Sequence, residues 1–410
     1  MHFSALLLLA TTSIAAPFNA SEGISVEANG NRGVKRDTLA ILKGTTTEDR
    51  PPNVSQRNAT GSLITKARFR NRNIRFTCEV EIGTRPKVFN LDIDTASSTT
   101  WVYGLDPKTG KRGWQRKVRE KSTYNGKKSK TSKHLKKDSF REVYMDGTGA
   151  MGQVYMDQIR IAGLESKQTF GAAKVIHSRI VADVGFNGVL GLGKPVSDDE
   201  NEKGWGGSKS FFGNVGEQLE ENLFTLQMKA DGGRIEFGRI SEDLYTGHLF
   251  WMDEVPLKSP YHVFETTGYA IGNGTMKPVK MYAAPDTTAS VILAPDAIAD
   301  DYYDTFPLGV EKVILPGHHT GYTYPCQDGF IPPDFTLQLT GNNNMTKDFV
   351  IPGKDLELQV IRPGVCLGAI QALTPRKPSD HEVTVLGWPF LQNKFIVFDG
   401  SNKIAFADAA

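Results

Sequence analysis

The segment Phe89-Asn-Leu-Asp-Ile-Asp-Thr-Ala-Ser-Ser-Thr-Thr-Trp101 carries most of the information about the fold. Apolar and polar residues alternate, which predicts a strand with Phe89, Leu91 and Ile93 on one face. Asp94 then precedes a turn of small residues, whose hydroxyl and N–H groups can hold a carboxylate and bias its ionisation. An isolated Asp-Thr pair would indicate only an Asx or Ser/Thr turn at a strand end.

A second copy of this pattern makes the simple turn an insufficient explanation. It is Met281-Tyr-Ala-Ala-Pro-Asp-Thr-Thr-Ala-Ser-Val-Ile-Leu293, and each copy is followed about a hundred residues later by an apolar pair and a glycine, in 188–193 and 383–391. Glycine permits a close backbone approach, here to the Asp-bearing strand. The repeat predicts two related halves that bring Asp94 and Asp286 to a shared interface. Two carboxylates that share one proton can act as general acid and base on a water molecule.

The paired motifs resemble those of the pepsin-like aspartic endopeptidases, most closely the fungal penicillopepsin-type branch, over about Thr77 to Ala410. The resemblance implies an all-β, bilobal fold, in which two pseudo-twofold-related β lobes flank a substrate cleft. It implies Asp94 and Asp286 as the catalytic pair, acting on protein or peptide substrates at acid pH. Neither a metal nor an organic cofactor is expected, and the protein is expected to be monomeric.

The resemblance also assigns roles to individual residues. The stretch 143–155 aligns without gaps to the flap, a mobile hairpin that closes over substrate, with Met145 in place of the usual glycine. Without the family, Tyr144 would be an ordinary strand tyrosine. A disulfide is implied between Cys326 and Cys366, whereas Cys78 reads as a small buried hydrophobe. The residues expected to contact substrate are Tyr144, Thr95, Ser97 and Thr287.

The domain organisation follows from composition together with the family. Residues 1–16 read as a secretory signal peptide, which predicts a secreted protein, with the vacuole as second choice and no membrane span. Residues 17–66 are expected to be a zymogen propeptide, although composition alone also fits a disordered linker. The mature chain could begin after the dibasic pair Lys35-Arg36 or near Lys66. The N-terminal β lobe, with flap and basic insertion, is assigned to 67–250 and the C-terminal β lobe to 251–410.

Residues 108–137 form a strongly basic insertion, with thirteen Lys and Arg residues against a single acid, Glu120. The net charge of the whole chain is only +2, so the remainder is acidic. A functional interpretation is contact with an anionic surface. The simpler interpretation is a solvated insertion. Nucleic acid is not expected as a partner of a secreted chain, and sequons at Asn19, Asn53, Asn58, Asn273 and Asn344 predict a glycoprotein.

Several substitutions surround the two aspartates. Ala96 and Thr288 stand where the family has glycine, and a β-branched Thr288 is expected to strain a glycine turn. Pro285 lies in an inner strand, where proline cannot donate to the ladder. Trp388 replaces a common aspartate. The alternatives to an active endopeptidase are therefore a catalytically impaired homologue that binds peptides, or a wall-binding protein that uses the basic insertion.

The two motifs also differ at the position three residues after the aspartate. Ser97 can donate a hydroxyl to Asp94, whereas the matching Ala289 cannot donate to Asp286. A hydrogen bond to an ionised carboxylate lowers its pKa. The sequence therefore predicts a raised pKa on the Asp286 side of the pair.

Overall fold

In the computed structural model the chain is a β protein organised in two large sheets. The fold agrees with the alternating patterns of the sequence, and the predicted all-β class is confirmed. The residues that the structure describes are 59–70, 73–108, 122–182, 185–195, 209–307, 309–317, 319–327, 329–373 and 383–410.

The first lobe is built from ten strands of the described chain. They are β1 (Gly61–Arg70), β2 (Asn73–Ile82), β3 (Lys87–Asp94), β4 (Trp101–Lys108), β5 (Lys133–Val143), β6 (Gly149–Ile161), β7 (Leu164–Ile176), β8 (Gly188–Gly191), β9 (Leu223–Lys229) and β10 (Gly232–Phe237). Short helices α1 (Ser178–Ala182) and α2 (Phe211–Val215) and 3₁₀ turns at Gly126–Lys128 and Gly216–Gln218 connect them.

A linking strand, the second lobe and a closing hairpin follow. The strands are β11 (Tyr245–Asp253), β12 (Phe264–Ile271), β13 (Met281–Pro285), β14 (Ile292–Pro295), β15 (Glu311–Ile314), β16 (Thr320–Pro325), β17 (Phe335–Thr340), β18 (Thr346–Ile351), β19 (Glu357–Arg362), β20 (Val365–Gly368), β21 (Ile370–Leu373), β22 (Val383–Leu386), β23 (Lys394–Asp399) and β24 (Lys403–Ala409). The helical elements are α3 (Asp296–Tyr303), α4 (Trp388–Leu391) and 3₁₀ turns at Glu242–Leu244 and Gly353–Asp355.

The two Asp-bearing strands have the same neighbours in the two lobes. Strand β3 lies antiparallel to β2 and parallel to β8, with Asp94 opposite Gly191. Strand β13 lies antiparallel to β12 and parallel to β22, with Pro285 opposite Leu386. The predicted repeat of the two halves is therefore present as a repeated strand arrangement.

The companion glycines allow the turns after each aspartate to pack against the neighbouring strand. A Cβ added at Gly191 would lie 2.6 Å from the backbone of Ser98, and one at Gly387 would lie 2.4 Å from the carbonyl oxygen of Ala289. Real Cβ atoms do not approach backbone so closely, so these glycines are needed for packing. The close approach is to the turn after each aspartate, one step beyond the strand where the sequence analysis placed it.

The predicted domain boundaries fall inside paired strands. Strand β11 runs through residue 250, and the closing strand β23 pairs with β9 of the first lobe. The larger sheet therefore contains strands from both ends of the chain. Strand β1 runs through residue 66 and pairs with β10 through Gly61 to Thr65. A mature start near Lys66 would remove half of this strand, whereas a start after Arg36 would leave it complete.

The core explains the alternation of the first motif. Phe89, Leu91 and Ile93 are all buried in the main hydrophobic cluster, as predicted. Asp92 and Asp94, on the opposite face of β3, are also fully buried. The strand is therefore covered on both faces, and its polar side needs partners of its own.

Several sequence predictions concern residues outside the described part of the chain. These are the signal peptide, most of the propeptide with its dibasic site, three of the five sequons and residues 109–121 of the basic insertion. Among the described helices, none has the length and apolar character needed to cross a membrane.

The disulfide implied by the resemblance is present in the second lobe. Cys326 and Cys366 are bonded, with their Cα atoms 5.6 Å apart, and the bond ties the end of β16 to β20. Glu357 lies beside the two sulfur atoms. Because the sulfurs are bonded to each other, this group offers no thiolate to a metal.

The cysteines generate a first prediction. Cys78 is buried and free, and burial raises the pKa of its thiol to about 12, so the reactive thiolate is scarce. We expect iodoacetamide to label Cys78 only after unfolding. Peptide mapping of unreduced protein should recover Cys326 linked to Cys366. A bridge to Cys78, or its rapid labelling in the native protein, would contradict the fold assignment of β2.

Candidate active site

Four hydrogen bonds between Thr95 and Thr287 and their opposite strands join the two lobes at the site. The Thr95 hydroxyl donates to the Pro285 carbonyl at 3.0 Å, and the Thr287 hydroxyl donates to the Ile93 carbonyl. Each hydroxyl oxygen also accepts the backbone N–H of the other threonine at 3.3 Å. This reciprocal arrangement fixes the ends of β3 and β13 together. The two hydroxyls, predicted to contact substrate, are instead used to position the aspartates.

The carboxylates of Asp94 and Asp286 are completely buried at this junction. One oxygen of Asp94 accepts the Ala96 N–H at 2.8 Å, and one oxygen of Asp286 accepts the N–H and hydroxyl of Thr288 at 2.8 and 2.7 Å. The second oxygen of each carboxylate has no hydrogen-bond partner among the described residues. Buried carboxylate oxygens are costly to leave unpaired, so both are suited to accept a hydrogen bond from a bound group.

The two carboxylates are coupled electrostatically. Burial is the main cause that raises the pKa of Asp94 well above its ordinary value, and the neighbouring charge of Asp286 is the second. Burial also raises the pKa of Asp286, while the two hydrogen bonds from Thr288 oppose that rise. Because the pair cannot easily hold two negative charges, it retains a proton over a range of pH. The extra donor at Asp286 favours the charge there and the proton on Asp94.

The predicted role of Ser97 in this balance is wrong. Its hydroxyl donates to the carboxylate of Glu142 at 3.4 Å and accepts the N–H of Thr99 at 3.0 Å. No hydrogen bond joins it to Asp94 in the described structure. At the second motif, Ala289 lacks a hydroxyl as expected, but Thr288 supplies one from the preceding position. Asp286 therefore accepts more hydrogen bonds than Asp94, whereas the sequence predicted that Asp94 would have the additional donor.

The glycine replacements cause no backbone strain. Neither Ala96 nor Thr288 lies in the left-handed region, because both have negative φ. A residue with a Cβ atom adopts these backbone conformations without strain. The methyl of Ala96 packs with Tyr261 and Val263. The expectation that Thr288 strains its turn is therefore wrong. Each residue also keeps the N–H that the adjacent aspartate accepts.

Pro285 is compatible with its inner strand because its backbone groups face away from the neighbouring strand β22. The N–H of Asp286 donates to the Leu386 carbonyl at 3.0 Å, so residue 286 faces β22. Backbone groups of successive strand residues point to opposite sides, and Pro285 therefore faces the first lobe. Only its carbonyl is used there, by the Thr95 hydroxyl. The missing N–H costs no bond to β22.

Tyr144 lies at the start of the turn between β5 and β6, where the flap was predicted. Its N–H donates to the Thr148 carbonyl at 2.9 Å, which closes the turn. Its phenol oxygen accepts a hydrogen bond from the Trp101 indole at 2.7 Å, and the side chain is buried. Burial, followed by the charge of Glu142, raises the pKa of Tyr144 well above its ordinary value, so the phenol remains protonated.

The tip of this hairpin reaches the second lobe. The carbonyl oxygen of Met145 would lie only 1.5 Å from a Cβ added at Gly317, which has a φ of +91°. This glycine therefore allows the tip of the hairpin to pack against the second lobe. Met145, in place of a glycine, has a buried side chain packed into the main core.

Three charged residues of the site were not predicted from the sequence. Glu142, on β5, is half-buried, and its charge contributes to the raised pKa of Asp94. Asp92 is buried and forms an ion pair with Arg75, whose guanidinium lies 4.6 Å from the ring centre of Phe186. Asp92 lies two residues before Asp94 and therefore on the same face of β3. This spacing could have identified Asp92 from the sequence. The partner on β2 and the position of Glu142 depend on strand register.

Comparison with known proteins agrees with this geometry. The family model for Eukaryotic aspartyl protease matches residues 75–409. Podosporapepsin from Podospora anserina is 30% identical over 342 residues, which cover 82% of this chain and 74% of that protein. Penicillopepsin-1 from Penicillium rubens is 28% identical and covers 100% of this chain and 97% of its own length. Endothiapepsin from Cryphonectria parasitica is 28% identical over 78% of this chain and 72% of its own. The chain belongs to the eukaryotic aspartyl protease family, and its fold is the bilobal pepsin-like fold.

Proposed function

We propose that this protein is a secreted aspartic endopeptidase that hydrolyses peptide bonds in proteins at acid pH. The observation that carries the proposal is the pair Asp94 and Asp286, buried at the junction of the lobes, each with one unpartnered carboxylate oxygen. The elevated pKa of both groups supports a shared proton. A catalytic acid and base are then available in one site.

In the proposed reaction the two aspartates have different roles. The ionised carboxylate of Asp286 takes a proton from a water molecule as its oxygen attacks the scissile carbonyl carbon. The protonated carboxyl of Asp94 donates to the carbonyl oxygen, which becomes a hydroxyl in the tetrahedral intermediate. Asp286 then returns its proton to the leaving nitrogen, and Asp94 recovers one from the hydroxyl as the C–N bond breaks. The reaction needs no cofactor.

The hairpin that carries Tyr144 would enclose the substrate. In its position against Gly317 the hairpin would exclude water from the carboxylates, and exclusion of water strengthens electrostatic interactions inside a site. Tyr144 and Ser97 remain proposed contacts to substrate. A peptide would bind in extended form in the cleft, as the family resemblance implies.

Secretion and activation belong to the same proposal. Residues 1–16 would direct the chain out of the cell, with the vacuole as the second choice, and residues N-terminal to β1 would form the removable propeptide. Of the sequons, Asn273 and Asn344 are exposed, which suits glycosylation. The acidity of secretory or extracellular compartments would release the propeptide as carboxylates protonate.

The alternative function is an impaired homologue that binds peptides without cleaving them. It was suggested by the substitutions around the aspartates. The negative φ of Ala96 and Thr288 and the orientation of Pro285 remove the steric reasons for inactivity. Cleavage of a denatured protein at about pH 3–5, with and without pepstatin, separates the two functions. Absence of pepstatin-sensitive cleavage by processed protein would favour the alternative.

Substitution of either aspartate tests the dyad directly. We expect Asp94→Asn and Asp286→Asn each to lower kcat/KM by at least about a thousandfold, because the acid–base pair is lost. Their circular dichroism spectra should match that of the wild type. A single variant that keeps most of its activity, while correctly folded, would exclude the proposed mechanism.

The hydroxyl of Thr288 should set the acid limb of the pH profile. It stabilises the charge on Asp286, so its removal in Thr288→Val raises the pKa at which the first proton leaves the pair. We expect the acid limb of kcat/KM to move toward neutral by about one unit, if the bond contributes about 1–1.5 kcal/mol. The alkaline limb should move less, because Asp286 is charged on both sides of that ionisation.

Thr288→Ser is the matched control, because it keeps the hydroxyl and removes only a methyl group. Its acid limb should coincide with that of the wild type. An unchanged acid limb in Thr288→Val, or an equal shift in Thr288→Ser, would show that the hydroxyl does not control the charge of Asp286.

Glu142 should influence the opposite limb. Its negative charge opposes ionisation of Asp94, and therefore raises the pKa for loss of the second proton. We expect Glu142→Gln to move the alkaline limb of kcat/KM toward acid by a fraction of a unit. Glu265→Gln, at an ion pair of the second lobe with Lys280, is the control and should leave both limbs in place. A shift toward neutral in Glu142→Gln would contradict the electrostatic role.

A further inference from the structure

A cavity of about 920 Å³ lies on the first lobe beside the β2–β3 turn, within residues that the catalytic proposal does not use. One side is formed by this turn and the other by the 3₁₀ turn Gly126–Lys128. Its floor is apolar and includes Ile82, Phe89 and Tyr124, which are buried in the core. The cavity is therefore a feature of the folded lobe.

The polar part of the lining is strongly cationic. No Asp or Glu contributes to it. Its five basic residues are Arg85, Lys87, Lys127, Lys128 and Lys130. None of the five forms an ion pair with another described residue. By contrast, Lys66, Lys280 and Lys312 each pair with a carboxylate.

Hydrogen bonds join the two backbone segments that carry these cations. The ammonium of Lys87 donates to the Thr123 carbonyl at 3.0 Å, which joins the two walls. The N–H of Lys130 donates to the Thr84 hydroxyl at 2.9 Å, and the N–H of Thr84 donates to the Ser129 hydroxyl at 3.1 Å. The two segments that carry the cations are thus held against each other.

A buried acidic side chain behind the 3₁₀ turn forms no ion pair with these cations. Asp157 is buried behind the 3₁₀ turn, where it accepts hydrogen bonds from the hydroxyls of Tyr124, Ser129 and Thr131. These bonds anchor the turn and leave the lysines facing the cavity. Partial burial and, second, the charge of Lys128 lower the pKa of Lys87. Lys87 is therefore repelled by the neighbouring positive charge of Lys128. A bound anion would relieve this repulsion.

We propose that this cavity binds a polyanion with closely spaced phosphate or sulfate groups. Five cations around one concavity match several charges on one ligand, and a single small anion would leave most of them unpaired. The apolar floor can accept the backbone of such a polymer between its charged groups. The cavity would then anchor the enzyme to a polyanionic material, a property that goes beyond peptide hydrolysis.

The inference can be tested by titrating the protein with inorganic tripolyphosphate near neutral pH and low ionic strength. The double variant Lys87→Gln/Lys128→Gln should bind at least about tenfold more weakly than the wild type. The double variant Lys280→Gln/Lys312→Gln removes the same charge from ion pairs on the second lobe, and should bind within about twofold of the wild type. Circular dichroism establishes that both variants are folded.

The same titration with dextran sulfate distinguishes the two sources of the oxyanion. Cavity-dependent binding of either polymer supports the site, and the tighter one identifies phosphate or sulfate. Absence of binding by the wild type, or equal weakening in both double variants, would overturn the proposal. So would a preference for polyglutamate, which would assign the cavity to acidic polypeptides. None of these measurements involves proteolysis, so their outcome is independent of the proposed activity.

Discussion

The reciprocal hydrogen bonds of Thr95 and Thr287 are the constraint on which the candidate active site depends. Each hydroxyl reaches across to the strand end of the other lobe, and each accepts the opposite N–H. Four hydrogen bonds between two buried turns hold the aspartates together without using their carboxylates. The free oxygens of Asp94 and Asp286 can then be used for chemistry, because their positions are maintained by neighbours.

Burial raises the pKa of both carboxyl groups. The hydrogen-bond donors around each group determine which of the two carries the negative charge. Removal from water raises both pKa values, so the pair holds a proton that exposed carboxyls would lose. The chain then departs from its family at the glycine after the second Asp-Thr. Thr288 there supplies a hydroxyl to Asp286, which Ala289 cannot. Thr288 and Ala289 each look damaging when considered alone, but together they leave Asp286 with a hydroxyl donor.

The charge of the protein is divided between regions with different tasks. The near-zero net charge conceals a basic insertion on an acidic body. On the first lobe, a hydrogen bond from Lys87 to the Thr123 carbonyl joins the cavity walls, and the charge of Lys128 contributes to lowering the pKa of Lys87. Unpaired cations within a folded concavity cost free energy, which an anionic ligand would recover. The flap is on another part of this lobe, so anchoring and catalysis could operate together.

The sequence by itself determined two related halves, the buried face of β3 and the pairing of Asp94 with Asp286, and the family resemblance added the bilobal β fold. The first three follow from strand periodicity and from a repeated motif, which are local properties of the chain. The disulfide and the flap tyrosine were predicted through the family resemblance. Only the tertiary structure decided which donor serves which carboxylate. The hydroxyl of Ser97 goes to Glu142, and the orientation of Pro285 depends on its pairing with β22. Such contacts join residues far apart in sequence, and their geometry is set by strand register and by turn conformation, which residue order does not specify.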